Sequence, residues 1–179
     1  MDYIQEIKPK TKKSKALILS FVCFLFTAMW FGGAIGFYFI YSPISLNSTK
    51  EYIGTIKSIQ PITFYSIVTN EHKAKIMITR EEAVFDMVAL AGLSIGDEIS
   101  FRIRKGDTDK LDNVDETVEL LALKVGDIDI ITLEKYNKVS GKMRLTSTIG
   151  FSIAGTIFLA FAVITLLYHK GVIGKRRKI

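Results

Sequence analysis

ALILSFVCFLFTAMWFGGAIGFYFIY, residues 16–41, runs for 26 positions without one charged side chain. A second run, IGFSIAGTIFLAFAVITLLY at residues 149–168, adds 20 more. A helix rises 1.5 Å per residue, so about 20 apolar residues cross the hydrocarbon core of a bilayer. Both runs predict transmembrane helices. As core helices of a soluble protein they would need enclosure on every side, and the rest of the 179 residues is too short to enclose two. The first run also exceeds the 7–15 residues of a signal-peptide core. No small-x-small cleavage site follows it at Tyr41, Ser42, Pro43 and Ile44. An uncleaved anchor is expected.

The charges set an orientation. Residues 1–15 carry five lysines against Asp2 and Glu6, and residues 169–179 carry Lys170, Lys175, Arg176, Arg177 and Lys178. The stretch 42–148 is net −2, so the overall +6 belongs to the two tails. Basic tails beside membrane helices stay cytoplasmic. Both ends are therefore expected inside, as basic cytoplasmic tails, with residues 42–148 outside. Lys135, Lys138, Lys142 and Arg144, just before the second run, weigh against that orientation. Topology and anionic lipid explain the tails without any nucleic acid. The expected partners are the lipid bilayer and either a second copy of the chain or another membrane protein.

Neither run holds an ionisable group in its core, which argues against a self-sufficient pump or transporter. Small residues recur instead. Ala28, Gly32 and Gly36 share one face of the first helix, and Gly150 and Ala154 share one face of the second. Such faces let backbones approach closely. Packing of the two helices against each other is the plain expectation, and a dimer or partner helix on the Ala28–Gly32–Gly36 face the sharper one. Cys23, the single cysteine, lies in the first run, so the outer domain has no internal disulfide.

Between the helices the pattern changes to short strands. Tyr52–Gln60 alternates in polarity up to Pro61. Phe64–Thr69 and Lys73–Thr79 predict a hairpin around Asn70, Glu71 and His72. Thr79 with Glu82 has capping-box spacing ahead of a helix that runs to Leu90, with Gly92 as its cap. Ser94-Ile95-Gly96-Asp97 reads as a turn before strand Glu98–Arg104. Thr117–Val125 and Ile128–Leu133 then read as a hairpin about Gly126-Asp127. The expected fold is α+β: a hairpin of two membrane helices plus a mainly antiparallel outer domain with one inserted helix. A small OB-like barrel is the first choice and an open sandwich the second.

The strand Tyr52-Ile53-Gly54-Thr55-Ile56, the turn-strand Gly96-Asp97-Glu98-Ile99 and the hairpin 123–133 together resemble the β module of small bacterial two-span membrane proteins. That resemblance implies a shape, an extracytoplasmic OB-like module, and no activity.

Catalysis needs convergent groups with matched roles. The outer stretch has one histidine, His72, no cysteine and none of the usual nucleophile, metalloprotease or phosphate-loop motifs. His72 reads as a turn residue. Glu81 and Glu82 fit the dipole of a helix start rather than an acid pair. Asp107, Asp109, Asp112, Asp115 and Glu116 are the candidate Ca²⁺ ligands, since hard cations take many oxygens. The spacing is not that of an EF-hand, because Leu111 and Asp112 stand where a ligand and a glycine belong. A solvated loop is the simpler reading. Asn47-Ser48-Thr49 is a glycosylation sequon that carries little weight this close to a membrane. No cofactor is expected. The sequence points to a non-enzymatic interaction module. An accessory subunit of a transport or secretion complex is the second reading, and an envelope-acting enzyme the third.

Overall fold

The computed structural model of the chain describes residues 10–61 and 65–172. Most of the tail charges (among them Lys8 and Lys175–Lys178) and Phe64 lie outside those residues. The chain divides into two compact units: Met1–Ile40 with Arg144–Ile179, and Tyr41–Met143.

The first unit is an antiparallel helix pair. Helix α1 spans Lys10–Ile40, and helix α3 spans Leu133–His169, so its first turns belong to the second unit. Both are long and apolar enough to cross a membrane. A soluble core helix would be mostly buried, yet only 22% of the apolar window of α1 and 11% of that of α3 are buried. Phe21, Leu25, Ile35 and Phe39 stand exposed on α1, as do Ile149, Ile153, Ile157 and Phe161 on α3.

The seam between the helices follows a heptad spacing. Ser20, Cys23, Thr27 and Ala34 are buried on α1, and Gly155 and Ala162 on α3. Phe151 covers Gly33, and Phe31 covers Gly155. Trp30 and Phe37 both pack on the Phe151 ring, at 5.0 and 4.9 Å, and Phe26 stacks on Phe158 at 5.3 Å. Hydroxyls within the apolar stretch donate to main-chain carbonyls: Ser20 to Ala162 across the seam, Thr27 to Cys23, and Thr165 to Phe161. The expected packing face is displaced by this arrangement. A Cβ on Gly32, Gly36 or Gly150 would meet nothing within 4 Å, and Ala28 is exposed. Large rings decide the seam, because each phenyl group fills the hollow over a glycine that lies one position away from the small-residue face.

Among the described residues, the second unit is built on a mixed sheet of seven strands in the order β5-β3-β2-β1-β4-β6-β7. The strands are β1 Thr49–Pro61, β2 Tyr65–Thr69, β3 Lys75–Met77, β4 Glu98–Arg104, β5 Thr117–Glu119, β6 Ala122–Val125 and β7 Ile128–Ile131. Strand β1 serves two neighbours. Its first half pairs with β4 from Thr49↔Arg104 to Thr55↔Glu98, and its second half with β2 from Ile56↔Thr69 to Pro61↔Tyr65. The sheet is mainly antiparallel, as expected, and strand β3 pairs β5 in parallel at one edge. Only Leu120 and Leu121 separate β5 from β6. Leu120 N–H donates to Met77 O, and Leu121 N–H to Arg102 O, so the chain steps directly from β3 to β4.

Alternation places Ile99, Phe101 and Ile103 of β4 in one core with Ile56, Ile67, Ile76, Val118 and Leu123. Burying each such side chain contributes about 1.5–3 kcal/mol. Tyr136 and Val139, from the first turns of α3, join the same core.

Other local expectations change. The Thr79–Glu82 capping box does not form, because the Thr79 hydroxyl donates to Glu119 instead. A 3₁₀ turn occupies Glu81–Ala83, and the inserted helix is the short α2, Met87–Ala91. Its cap is Asp86, whose Oδ1 accepts from Ala89 N–H at 2.9 Å. The acidic stretch is no open loop: Lys105–Asp112 winds as a 3₁₀ helix around buried Leu111. Turns at Gly96 (φ +99°) and Gly126 (φ +55°) fall where expected, in backbone that only glycine adopts freely.

Candidate functional site

His72 closes the β2–β3 hairpin, with its ring edge-on to Tyr52 at 5.3 Å and to Phe101 at 5.8 Å. Its Nδ1 is buried and has no hydrogen-bond partner among the described residues. The hairpin is fixed from both sides. Lys73 and Ala74 N–H both donate to Leu111 O, and Lys75 N–H donates to Glu116 O. Tyr52 OH lies 3.2 Å from Thr108 Oγ1, which ties the 3₁₀ helix to the same end of the domain.

Next to this hairpin is a cavity of about 220 Å³ lined by Lys57, Thr69, Asn70, His72, Lys73 and Lys75, with Val68 and Val114 as its apolar wall. Lys57 owes its place to a β-bulge. Between Ile56, opposite Thr69, and Ser58, opposite Val68, β1 takes two steps for one of β2. A bulge re-aims the extra side chain. None of the three lysines has an ion-pair partner among the described residues, whereas Arg80, Arg102, Arg104, Lys110 and Lys124 each face a carboxylate. No pattern of spacing marks the trio, since Lys57 is far from the others in sequence and only the bulge and strand pairing unite them.

A second cavity, of about 210 Å³, lies on the β1–β4–β6–β7 face. Its charges are neutralised locally. Glu51 pairs with Arg102 and accepts from Ser100 Oγ at 2.7 Å, and Lys124 and Asp129 share the rim.

Sequence reading missed a buried polar cluster. The Arg80 guanidinium donates to Glu119 and to the Tyr136 hydroxyl, and its carbon lies 4.4 Å from the Tyr136 ring centroid and 5.1 Å from that of Tyr41. Arg104 reaches the other Glu119 oxygen at 3.0 Å. Arg80 is 8% exposed and Tyr136 1%. Burial, and then the adjacent Glu119 carboxylate, hold the Tyr136 phenol well above its ordinary pKa of 10. The folded chain thus keeps a proton that the unfolded chain releases near pH 10. The stability contributed is complete below that pH and is lost as pH rises through and beyond it. In an absorbance titration of the ionising tyrosines, one phenol is expected to ionise only with unfolding, and Tyr136→Phe is expected to remove that step.

The opposite sign holds for Glu71. Thr55 N–H donates to its Oε2 at 2.7 Å, and Thr55 Oγ1–H to Oε1 at 3.0 Å, which lowers the carboxyl below its ordinary 4.5. Its contribution is present above the ordinary carboxylate range and is lost as pH falls through it. Glu71→Gln is expected to flatten the loss of melting temperature between about pH 5 and pH 3; an unchanged acid limb would remove Glu71 from the account.

The other candidates are not brought together. Asp107 holds Lys110 at 2.7 Å. Among the described residues no group of three or more His, Cys, Asp or Glu side chains is placed to hold a metal ion, so Asp109, Asp112, Asp115 and Glu116 do not converge with it. Glu81 lies in a 3₁₀ turn with Glu82, not in a helix start. Comparison with protein-family models, with curated proteins and with solved structures found no match for this chain.

Proposed function

We propose that the chain is a membrane-anchored binding module: α1 and α3 cross the bilayer, both tails remain cytoplasmic, and the β domain works outside without catalysing a reaction. The observation that carries this is the ring of large apolar side chains exposed around both helices. Water would not tolerate that surface, and lipid does. The seam from Ser20 to Ala162 gives α1 a structural role beside α3, unlike a leader that is cut away.

The OB-like barrel is part of the same proposal. Strand β1 spans β2 and β4, and the β5–β6 run spans β3 and β4. Following pairings gives the circuit β1-β2-β3-β5/β6-β4-β1, with α2 inserted between β3 and β4. Closure of that circuit would cover the β5 end of the sheet and leave β7 as an edge strand. Folds of this kind carry binding sites on strand faces and loops.

The test is purification of the full chain in mild detergent, with binding measured for molecules of the cell envelope. Saturable capture that is lost when residues 49–131 are replaced supports the module. Steady turnover of a captured molecule would overturn it. A second reading, accessory subunit of a larger complex, is favoured by the open Gly32 and Gly36 face of α1. A defined partner retained through the helices alone selects it.

A further inference from the structure

We propose that the cavity bounded by Lys57, Lys73 and Lys75 binds a phosphate group, carried either by a soluble phosphate ester or by a phospholipid headgroup. This rests on reading the β domain as a binding module and names what it binds.

The charge distribution is the first support. Residues 42–148 are net negative, with 16 acidic against 14 basic side chains. Three lysines nevertheless line one cavity of about 220 Å³ with no carboxylate in its wall. The three side chains are exposed; like charges around one cavity repel, and an anion between them relieves that repulsion. In the second cavity Glu51 offsets Arg102 and both signs of charge share the lining, so no such requirement arises.

Rigidity is the second. The lysines hang from backbone already committed elsewhere: Lys57 in the bulge of β1, Lys73 bonded to Leu111 O, and Lys75 to Glu116 O and paired in β3. Their α-carbons need no reorganisation to receive a ligand. Asn70 and His72, whose buried Nδ1 has no hydrogen-bond partner among the described residues, add polar groups to the same wall. Lysine serves as a point charge for phosphate. Three such charges suit a group whose charge is spread over several oxygens. The apolar wall of Val68 and Val114 gives the ester's carbon side a surface to rest on.

The experiment titrates the full chain in maltoside detergent, which carries no phosphate, with inorganic phosphate and separately with dihexanoyl phosphatidylglycerol, read by calorimetry. One saturable site per chain is expected for at least one probe. The triple variant Lys57→Gln, Lys73→Gln, Lys75→Gln is expected to weaken it at least about tenfold, as is the bulge variant Lys57→Gln to a lesser degree. A variant with Lys175, Arg176, Arg177 and Lys178 changed to glutamine is expected to bind like the parent, which separates the cavity from the tail. Equal affinity for both probes assigns a soluble ester, and a preference of about tenfold or more for the lipid assigns a headgroup. No saturable heat with either probe, or equal binding by the triple variant with an unchanged melting temperature, would overturn the proposal. A chain that still captures an envelope molecule while ignoring both probes would sink the phosphate site alone. A chain that binds phosphate and hydrolyses its ester would sink the non-catalytic module instead.

Discussion

Arg80→Ala is expected to destabilise the β domain by about 3–5 kcal/mol, the usual result of removing one partner of a buried ion pair. Arg80 and Glu119 are 8% and 19% exposed, so the carboxylate left behind has little water to replace the guanidinium. Two cation–π contacts, on Tyr41 and Tyr136, go with it. Arg104 still reaches Glu119 at 3.0 Å, which places the loss nearer the lower figure. For a domain of this size the melting temperature should fall by more than about 10 °C, followed by tyrosine near-ultraviolet dichroism. The double variant Arg80→Met, Glu119→Gln should recover part of that loss, because it removes the stranded charge. A fall of less than about 1 kcal/mol for Arg80→Ala would mean that the cluster is solvated like a surface pair.

Gly33→Leu is expected to force the helix pair apart, at a cost of about 1–3 kcal/mol for an overfilled seam. A Cβ at Gly33 would stand 2.6 Å from two ring carbons of Phe151, closer than atoms can approach. Phe151 cannot step aside freely, since Trp30 and Phe37 both pack on its ring. A Cβ at Gly32, one position away, would meet nothing within 4 Å, so Gly32→Leu starts its side chain in open space. Cys23 reports the difference, because it is 8% exposed in the same seam. In detergent, an uncharged thiol reagent should modify Cys23 about fivefold faster or more in Gly33→Leu, and at the parental rate in Gly32→Leu. Equal rates in the two variants would show that Gly33 is not in the seam.

That pair of glycines also shows what was legible in the sequence. Two uncharged runs found the long helices, since length and absence of charge are local properties. Which glycine faces the partner is not local. The four-residue repeat pointed to Gly32 and Gly36, but the three rings of Trp30, Phe37 and Phe151 outweigh the repeat and turn Gly33 inward. Most strands were readable from polarity alternation, as in Glu98–Arg104. The two hairpins were readable as well, since β2 pairs β3 and β6 pairs β7, but the β3–β5 pairing was not, because it joins strands some forty residues apart. The helix start was misplaced for a related reason. Thr79 had the spacing of a cap, but Glu119 from a distant strand took its hydroxyl, and Asp86 took the cap instead.

The site was the least legible part. Residue type and spacing drew attention to His72 and to the acidic stretch, which the fold uses to close one end of the β domain around Leu111. The lysine-lined cavity depends on one extra residue in β1 at Lys57. The bulge is created by register and leaves no mark in composition. Arg80, Glu119 and Tyr136 were likewise hidden, because each is an ordinary polar residue until three separate segments of the chain bury them together.

Impermeant maleimide labelling of intact cells tests the central claim most directly. Asp127 sits fully exposed in the β6–β7 turn. In a Cys23→Ser background, Asp127→Cys should label without lysis, and Ile179→Cys only after it. Labelling of Ile179→Cys in intact cells, with Asp127→Cys protected until lysis, would contradict the membrane orientation on which the binding module depends.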